Sequence, residues 1–204
     1  MGFYRPLELF YSRRIGKQFA DGTTVPINLG TKAFGRYKRF EYGGFLALTG
    51  AKEYVEDDSV WFEPRAQFVS GRLKKQIMDN SSAGILFVGK RTENNVYGVL
   101  DIDGAIRGTN WQAAYQLARS IENQRGDYAA SVGFTHVQQN WLNAVRARYI
   151  GEGFDISQVG YVPWRGTTEF TFLLGPRWYF EQGSVRSILL YGGAMLNHEK
   201  VDAY

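Results

Sequence analysis

The feature that most limits how this chain folds is a period of two, sustained over segments of about ten residues where a typical soluble strand has about five or six. In residues 110–120, Trp111, Ala113, Tyr115 and Leu117 alternate with Gln112, Ala114, Gln116 and Ala118. In residues 168–182, Phe170, Phe172, Leu174, Trp178 and Phe180 share one face, with Thr171, Gly175, Arg177 and Glu181 on the other. Phe40, Tyr42, Leu46 and Leu48 share a face, and Trp141, Val145, Ala147 and Tyr149 oppose Arg146 and Arg148. Such alternation marks strands with one apolar and one polar face. Helical spacing is scarce, so the chain reads as all-β. Strands are expected at about 7–17, 26–37, 40–51, 62–78, 82–91, 95–107, 110–121, 126–138, 140–151, 168–182 and 184–197.

Strand length points to a membrane, because a transmembrane strand takes about nine to eleven residues. The connections supply a second pattern. Those at 37–40, 78–82, 107–110, 138–140 and 181–184 are tight, and most of the alternate ones are longer. Short turns on one rim and long loops on the other are what a meandering outer-membrane barrel requires. Trp111, Trp141, Phe40 and Phe180 fall near tight turns, while Trp61, Tyr54 and Trp164 fall in or near long loops, as two interfacial girdles would. Core packing in a soluble β protein is the other reading of these aromatics.

Composition removes several classes. The 24 Lys+Arg and 20 Asp+Glu leave a net charge of +4, but the cations are scattered among acids and form no stripe along which nucleic acid would bind. With no cysteine, thiolate chemistry and disulfides are excluded. No run of 18 apolar residues exists, so no membrane-spanning helix is expected. The opening MGFYRPLELFYSRR has neither an apolar h-region nor a small-residue cleavage site, so any export signal is expected upstream.

Candidate site residues follow from the polar faces. Arg13 and Arg14 are adjacent, so in a strand they face opposite sides, and Arg14 is placed in the lumen. Arg65, Arg72 and Lys74 would line that lumen with Asp101, Asp103 and Arg107, joined by Gln112 and Gln116, then Arg146, Arg148, Arg177 and Glu181. Asp101 and Asp103 stand two apart on one strand, about 6.6–6.8 Å by strand rise, a separation that glycosidase carboxylates also use. Any such strand pair meets that geometry, and pairing with Arg65, Arg72, Arg146 or Arg148 is the structural alternative. His136 lies on an apolar-leaning face with no nucleophile elbow anywhere in the chain. The acids of EYVEDDSVWFE read as a solvated loop. Neither metal nor cofactor is expected.

Several motifs then fall in order from about residue 7 to 165. LFYSRRIG is followed by VPINLGTKAFGRYKRFEYGGFLALTG, then FVSGRLKKQIMDNSSAGILF, NNVYGVLDID and GEGFDISQVGYVPW. This series resembles a family of Gram-negative outer-membrane β-barrels of unknown function (domain of unknown function 5916), which commonly follow a family-nine carbohydrate-binding module. The resemblance implies an antiparallel up-and-down transmembrane barrel in the cell outer membrane. Its partners would be outer-membrane lipid and either glycans or other outer-membrane or periplasmic proteins. The family's barrel is longer than 204 residues, and about eleven strands is an odd number where bacterial barrels use even ones. This chain is therefore expected to be the first part of a larger barrel, with residues 1–25 as lead-in and first strand and 26–204 as further strands. A non-enzymatic pore, receptor or platform is the leading reading. A soluble β-barrel with a small apolar or sugar ligand, and a barrel-embedded hydrolase built on the aspartate pair, are the alternatives.

Overall fold

The computed structural model describes residues 6–12, 15–56, 59–123, 125–162 and 164–200. Its strands in chain order are β1 (Ile27–Tyr37), β2 (Phe40–Thr49), β3 (Lys52–Glu56), β4 (Ser59–Glu63), β5 (Ala66–Met78), β6 (Ser81–Arg91) and β7 (Val96–Arg107). There follow β8 (Trp111–Glu122), β9 (Tyr128–Val137), β10 (Trp141–Ile150), β11 (Thr167–Tyr179), β12 (Ser187–Leu189) and β13 (Gly192–Glu199). Eleven of them form one antiparallel up-and-down sheet in the order β1-β2-β5-β6-β7-β8-β9-β10-β11, with β12 and β13 both pairing β11. The sheet is not closed, which is the arrangement of a partial barrel.

β12 and β13 lie end to end along β11, opposite residues 177–179 and 167–174 respectively. Eleven strands minus this one shared position leave a sheet ten strands wide. The interruption has a local cause. The Arg177 N–H donates to Asn140 O on the β10 side, so residue 176 should donate toward β12 and β13. It is Pro176, which has no N–H, and the ladder breaks there while Leu190 N–H still reaches Pro176 O.

The first expected strand is corrected. Residues 6–12 form no strand, and among the described residues before β1 the only bridge is Gln18 to Thr24. Alternation within the segment is real, since Leu7 and Leu9 are buried and Glu8 is exposed. Its partner is a loop rather than the sheet edge. Tyr11 N–H donates to Val159 O and Tyr161 N–H to Glu8 O, at 3.1 and 3.2 Å. Arg13 and Arg14 lie outside the described residues.

Together this segment and the loop 151–166 lie on one face of the sheet. Leu7, Leu9, Phe154, Ile156 and Val159 pack there against Val88, Val99, Ala118, Ala129 and Ile150 of the strands. Phe10 meets Phe45 with ring centroids 5.2 Å apart, and Ile15 packs near Ala47, Ala66 and Phe68. Small residues make room beneath them: Ala105, Ala114, Ala118, Ala129, Ser131 and Ala144 are all buried on this covered face.

The opposite face is bare and apolar. In-register neighbours such as Ile85 and Ile102, Ile102 and Leu117, Phe134 and Val145, and Val145 and Phe172 form continuous rows across the strands. Leu117 is 50% exposed, Val132 52% and Phe87 40%. On β5 to β11 the charged residues of this face are Lys75, Arg91 and Arg119, each within three residues of a strand end. Near the tight-turn ends it carries Tyr37, Phe40, Trp111, Trp141 and Trp178.

The long-loop rim holds a hairpin absent from the expected strands, β3–β4, which continues outward apart from the main sheet. Tyr54 of this hairpin stacks on Phe19 at 3.7 Å, with Lys17 Nζ 4.8 Å from the Phe19 ring. Asp21 locks the arrangement by accepting from Thr23 N–H, Thr23 Oγ1–H and Val55 N–H. These hydrogen bonds, led by the Thr23 hydroxyl, hold the Asp21 carboxyl below the ordinary value of 3.8. A depressed carboxyl stabilises the docked hairpin above that ordinary value, and the contribution is lost as pH falls through the folded one. Protection of the Val55 amide against exchange should therefore fall below about pH 4, and Asp21→Asn should reproduce the loss at neutral pH. Protection unchanged between pH 6 and pH 3 would show that Asp21 does not hold the hairpin.

Candidate functional site

The covered face carries the polar chemistry in two clusters. On β5, β7 and β8, pairing sets Arg72 opposite Leu86, Leu86 opposite Asp101 and Asp103 opposite Gln116. The Arg72 guanidinium makes a two-pronged ion pair with Asp103 and approaches Asp101 Oδ2 at 3.7 Å. The Asp101 side chain is 1% exposed. Gln116 Nε2 donates to its Oδ2 at 3.4 Å, and Oδ1 has no hydrogen-bond partner. Both aspartates do share a face, and Arg72 is the cation they meet, rather than Arg65, Arg146 or Arg148.

Gln116 has a second task. Its Oε1 accepts from Leu7 N–H at 2.7 Å and its Nε2 reaches Leu7 O at 3.4 Å. One side chain thus satisfies the Leu7 N–H and adds a second donor to Leu7 O, which also accepts from Leu9 N–H at 3.1 Å. Gln116→Leu leaves the Leu7 N–H without its acceptor and Asp101 Oδ2 without its amide donor, and should cost about 1–3 kcal/mol. Hydrogen exchange at the Leu7 amide would read the change, and unaltered protection would show that apolar packing alone holds the segment.

On β10 and β11, Arg148 forms a close ion pair with Glu169, and Arg146 Nη2 lies 3.7 Å from Glu169 Oε1. The carboxylate is buried and serves two guanidinium groups, so this cluster is held by charge as well as by register. A third tie is Lys90, 7% exposed, whose Nζ donates to Glu63 Oε1 at 2.8 Å and Gln158 Oε1 at 2.9 Å. It joins the sheet to the β4 end of one long loop and to the middle of another. Asp127 fixes the base of the second loop by accepting from Gly153 N–H at 3.0 Å.

A cavity of about 350 Å³ lies between the N-terminal segment and the sheet, lined by Leu7 and Leu9 on one side and Arg72, Asp101, Asp103 and Gln112 on the other. Toward the tight turns it shares Lys74, Ser82 and Arg107 with a second cavity of about 200 Å³.

No family model, curated protein or solved structure matches this chain.

The remaining expected site residues divide. Arg107 and Gln112 are together, with Arg107 Nε donating to Gln112 Oε1 at 2.8 Å. Lys74 lies 3.8 Å from Glu41. Arg65 stands apart, exposed at the long-loop rim in a cavity shared with Gln67 and Arg91. Arg177 is near the opposite rim, its Nη1 donating to the Tyr179 hydroxyl at 2.7 Å. Glu181 lies past the end of β11 in the exposed connection 180–186, which is longer than the tight turn expected at 181–184. Among the described residues no group of three His, Cys, Asp or Glu is arranged to hold a metal ion.

Sequence reasoning missed Lys90, Glu169 and the buried apolar side chains of the segment and loop. Lys90 had a readable signal as the lone charge on the inward parity of β6, and Glu169 had one in sharing its parity with Arg177 on β11. The alanines of the covered face had one too: a wall facing only water has no use for a row of small side chains.

Proposed function

We propose that the sheet is wall from an outer-membrane β-barrel of the family its motifs resemble, working without catalysis as a receptor or platform rather than as an open pore. The observation that carries this is the bare face. A contiguous apolar field across most of a wide sheet is far from the scattered apolar residues of a water-soluble surface. It is bounded near the tight turns by a row of aromatics, and its few cations sit where long side chains reach a headgroup layer.

The covered face favours a filled lumen. Leu7, Leu9, Phe154, Ile156 and Val159 occupy the space an open pore would leave to water. The shared hold of Arg72 on Asp101 and Asp103 favours a wall-fixing ion pair over paired acid and base. Closure needs two further edges to meet. A width of ten sets β1 and β13 antiparallel, so an even number of added strands, or none, closes the barrel.

The test uses the five tryptophans one at a time in reconstituted vesicles with brominated lipids. Trp111, Trp141 and Trp178 should be quenched most strongly by bromine near the glycerol level, whereas Trp61 on the hairpin should be quenched weakly. Absence of quenching at all three tight-turn tryptophans, or a chain monodisperse without detergent, would sink the proposal in favour of a soluble ligand-binding sheet.

A further inference from the structure

We propose that the tight-turn mouth of the covered face binds a small, multiply charged oxyanion of the phosphate or pyrophosphate type. The cavity of about 200 Å³ there is lined by Arg36, Arg39, Lys74 and Arg107, with Glu41 and Asp79 as its acids, so four cations against two carboxylates leave a formal charge of +2. What matters is how little of that charge is already spent. Both ion pairs within the cavity fall on the same carboxylate: Arg36 Nε is 3.9 Å and Lys74 Nζ 3.8 Å from Glu41. These separations are long for charge-assisted hydrogen bonds, which close to about 2.7–2.9 Å. Among the described carboxylates, none forms an ion pair with Arg39 or Arg107.

Arg107 is nonetheless aimed. Its Nη1 donates to Asn80 O and its Nε to Gln112 Oε1, both at 2.8 Å, while its backbone N–H donates to Ser81 Oγ at 3.0 Å. Neutral acceptors hold the guanidinium without cancelling its charge. Ser81 and Ser82 add hydroxyl groups to the same lining. A fixed guanidinium, three further cations and nearby hydroxyls suit an anion with several oxygens around one centre.

The architecture also says where the anion stops. The mouth shares Lys74, Ser82 and Arg107 with the larger cavity, whose other charged groups are Asp101 and Asp103, held by Arg72. Among the described residues no unpaired cation lies behind the mouth to draw an anion further in. The source is a soluble solute, because the cavity is on the covered face, across the sheet from the apolar field on which lipid would lie. The site rests on the covered face alone and stands whether or not the other face meets lipid.

The experiment is calorimetric titration of the full chain, folded in neutral detergent at low salt, with sodium pyrophosphate. One saturable site is expected, weakening as salt rises. Arg39→Gln with Lys74→Gln should weaken it roughly tenfold, as two exposed charge contacts warrant. Glu41→Gln should tighten it several-fold by releasing Arg36 and Lys74, an effect that no merely structural role of these residues produces. Arg91→Gln, on the bare face, should leave it unchanged. The proposal is overturned by absence of saturable binding, by a loss in Arg91→Gln equal to that of the double variant, or by Glu41→Gln leaving affinity the same or weaker.

Discussion

Placing arginine at both Leu117 and Phe172 is expected to destabilise the folded protein in lipid vesicles by about 4–8 kcal/mol, each site contributing about 2–4 near the middle of a bilayer-facing strand. Leu117 sits mid-strand between Ile102 of β7 and Ala130 of β9, and Phe172 between Val145 of β10 and Ala194 of β13. No carboxylate shares the interior of this face on those strands, so neither arginine gains a partner there. The two sites are three strands apart, roughly 14 Å at the usual strand spacing, which makes additivity the right expectation. Were the face bathed in water, each substitution would fall within about 0.5 kcal/mol, because both side chains are already substantially exposed. Urea titration in phosphocholine vesicles separates these outcomes by several kcal/mol. A total below about 1 kcal/mol for the double variant would refute a lipid-facing wall.

That the face can be tested so sharply reflects how much of it is written in the residues. Strict alternation in residues 110–120 and 140–151 assigns each side chain to a face, and the register of β8, β9 and β10 agrees residue by residue. Asp101 and Asp103 are on one side for the same reason. Legibility ended where partners are distant in the chain. Leu7 and Leu9 alternate as a strand would, but their contacts are Gln116 and the loop around Val159, more than a hundred residues away. Periodicity reports a direction for each side chain and nothing about what arrives to cover it. The β3–β4 hairpin was hidden by its acids, which read as solvated loop although Tyr54 and Trp61 pair across it. The break between β12 and β13 is set by Pro176 on the neighbouring strand, a cause invisible within residues 187–199 themselves.

Arg72→Leu should cost about 3 kcal/mol, at the lower end of what removing one partner from a buried ion pair costs. The low end is appropriate because Arg72 and Asp103 are 35% and 23% exposed, and water takes up part of the loss. Asp101 receives no such relief. Its side chain is 1% exposed, one oxygen has no hydrogen-bond partner, and without Arg72 its remaining donor is Gln116. Two carboxylates would then face each other across one strand repeat with no cation between them. Changing Asp101 to Asn and Asp103 to Leu in the Arg72→Leu background should therefore recover most of the stability, since the penalty arises from stranded charge rather than from lost volume. Gln116 links this cluster to the N-terminal segment, so the single variant should also speed exchange at the Leu7 amide. If Arg72→Leu costs less than about 1 kcal/mol and leaves Leu7 protected, water reaches Asp101 freely. The segment would then cover a hydrated channel instead of sealing a packed one, and the case for a filled lumen would fall with it.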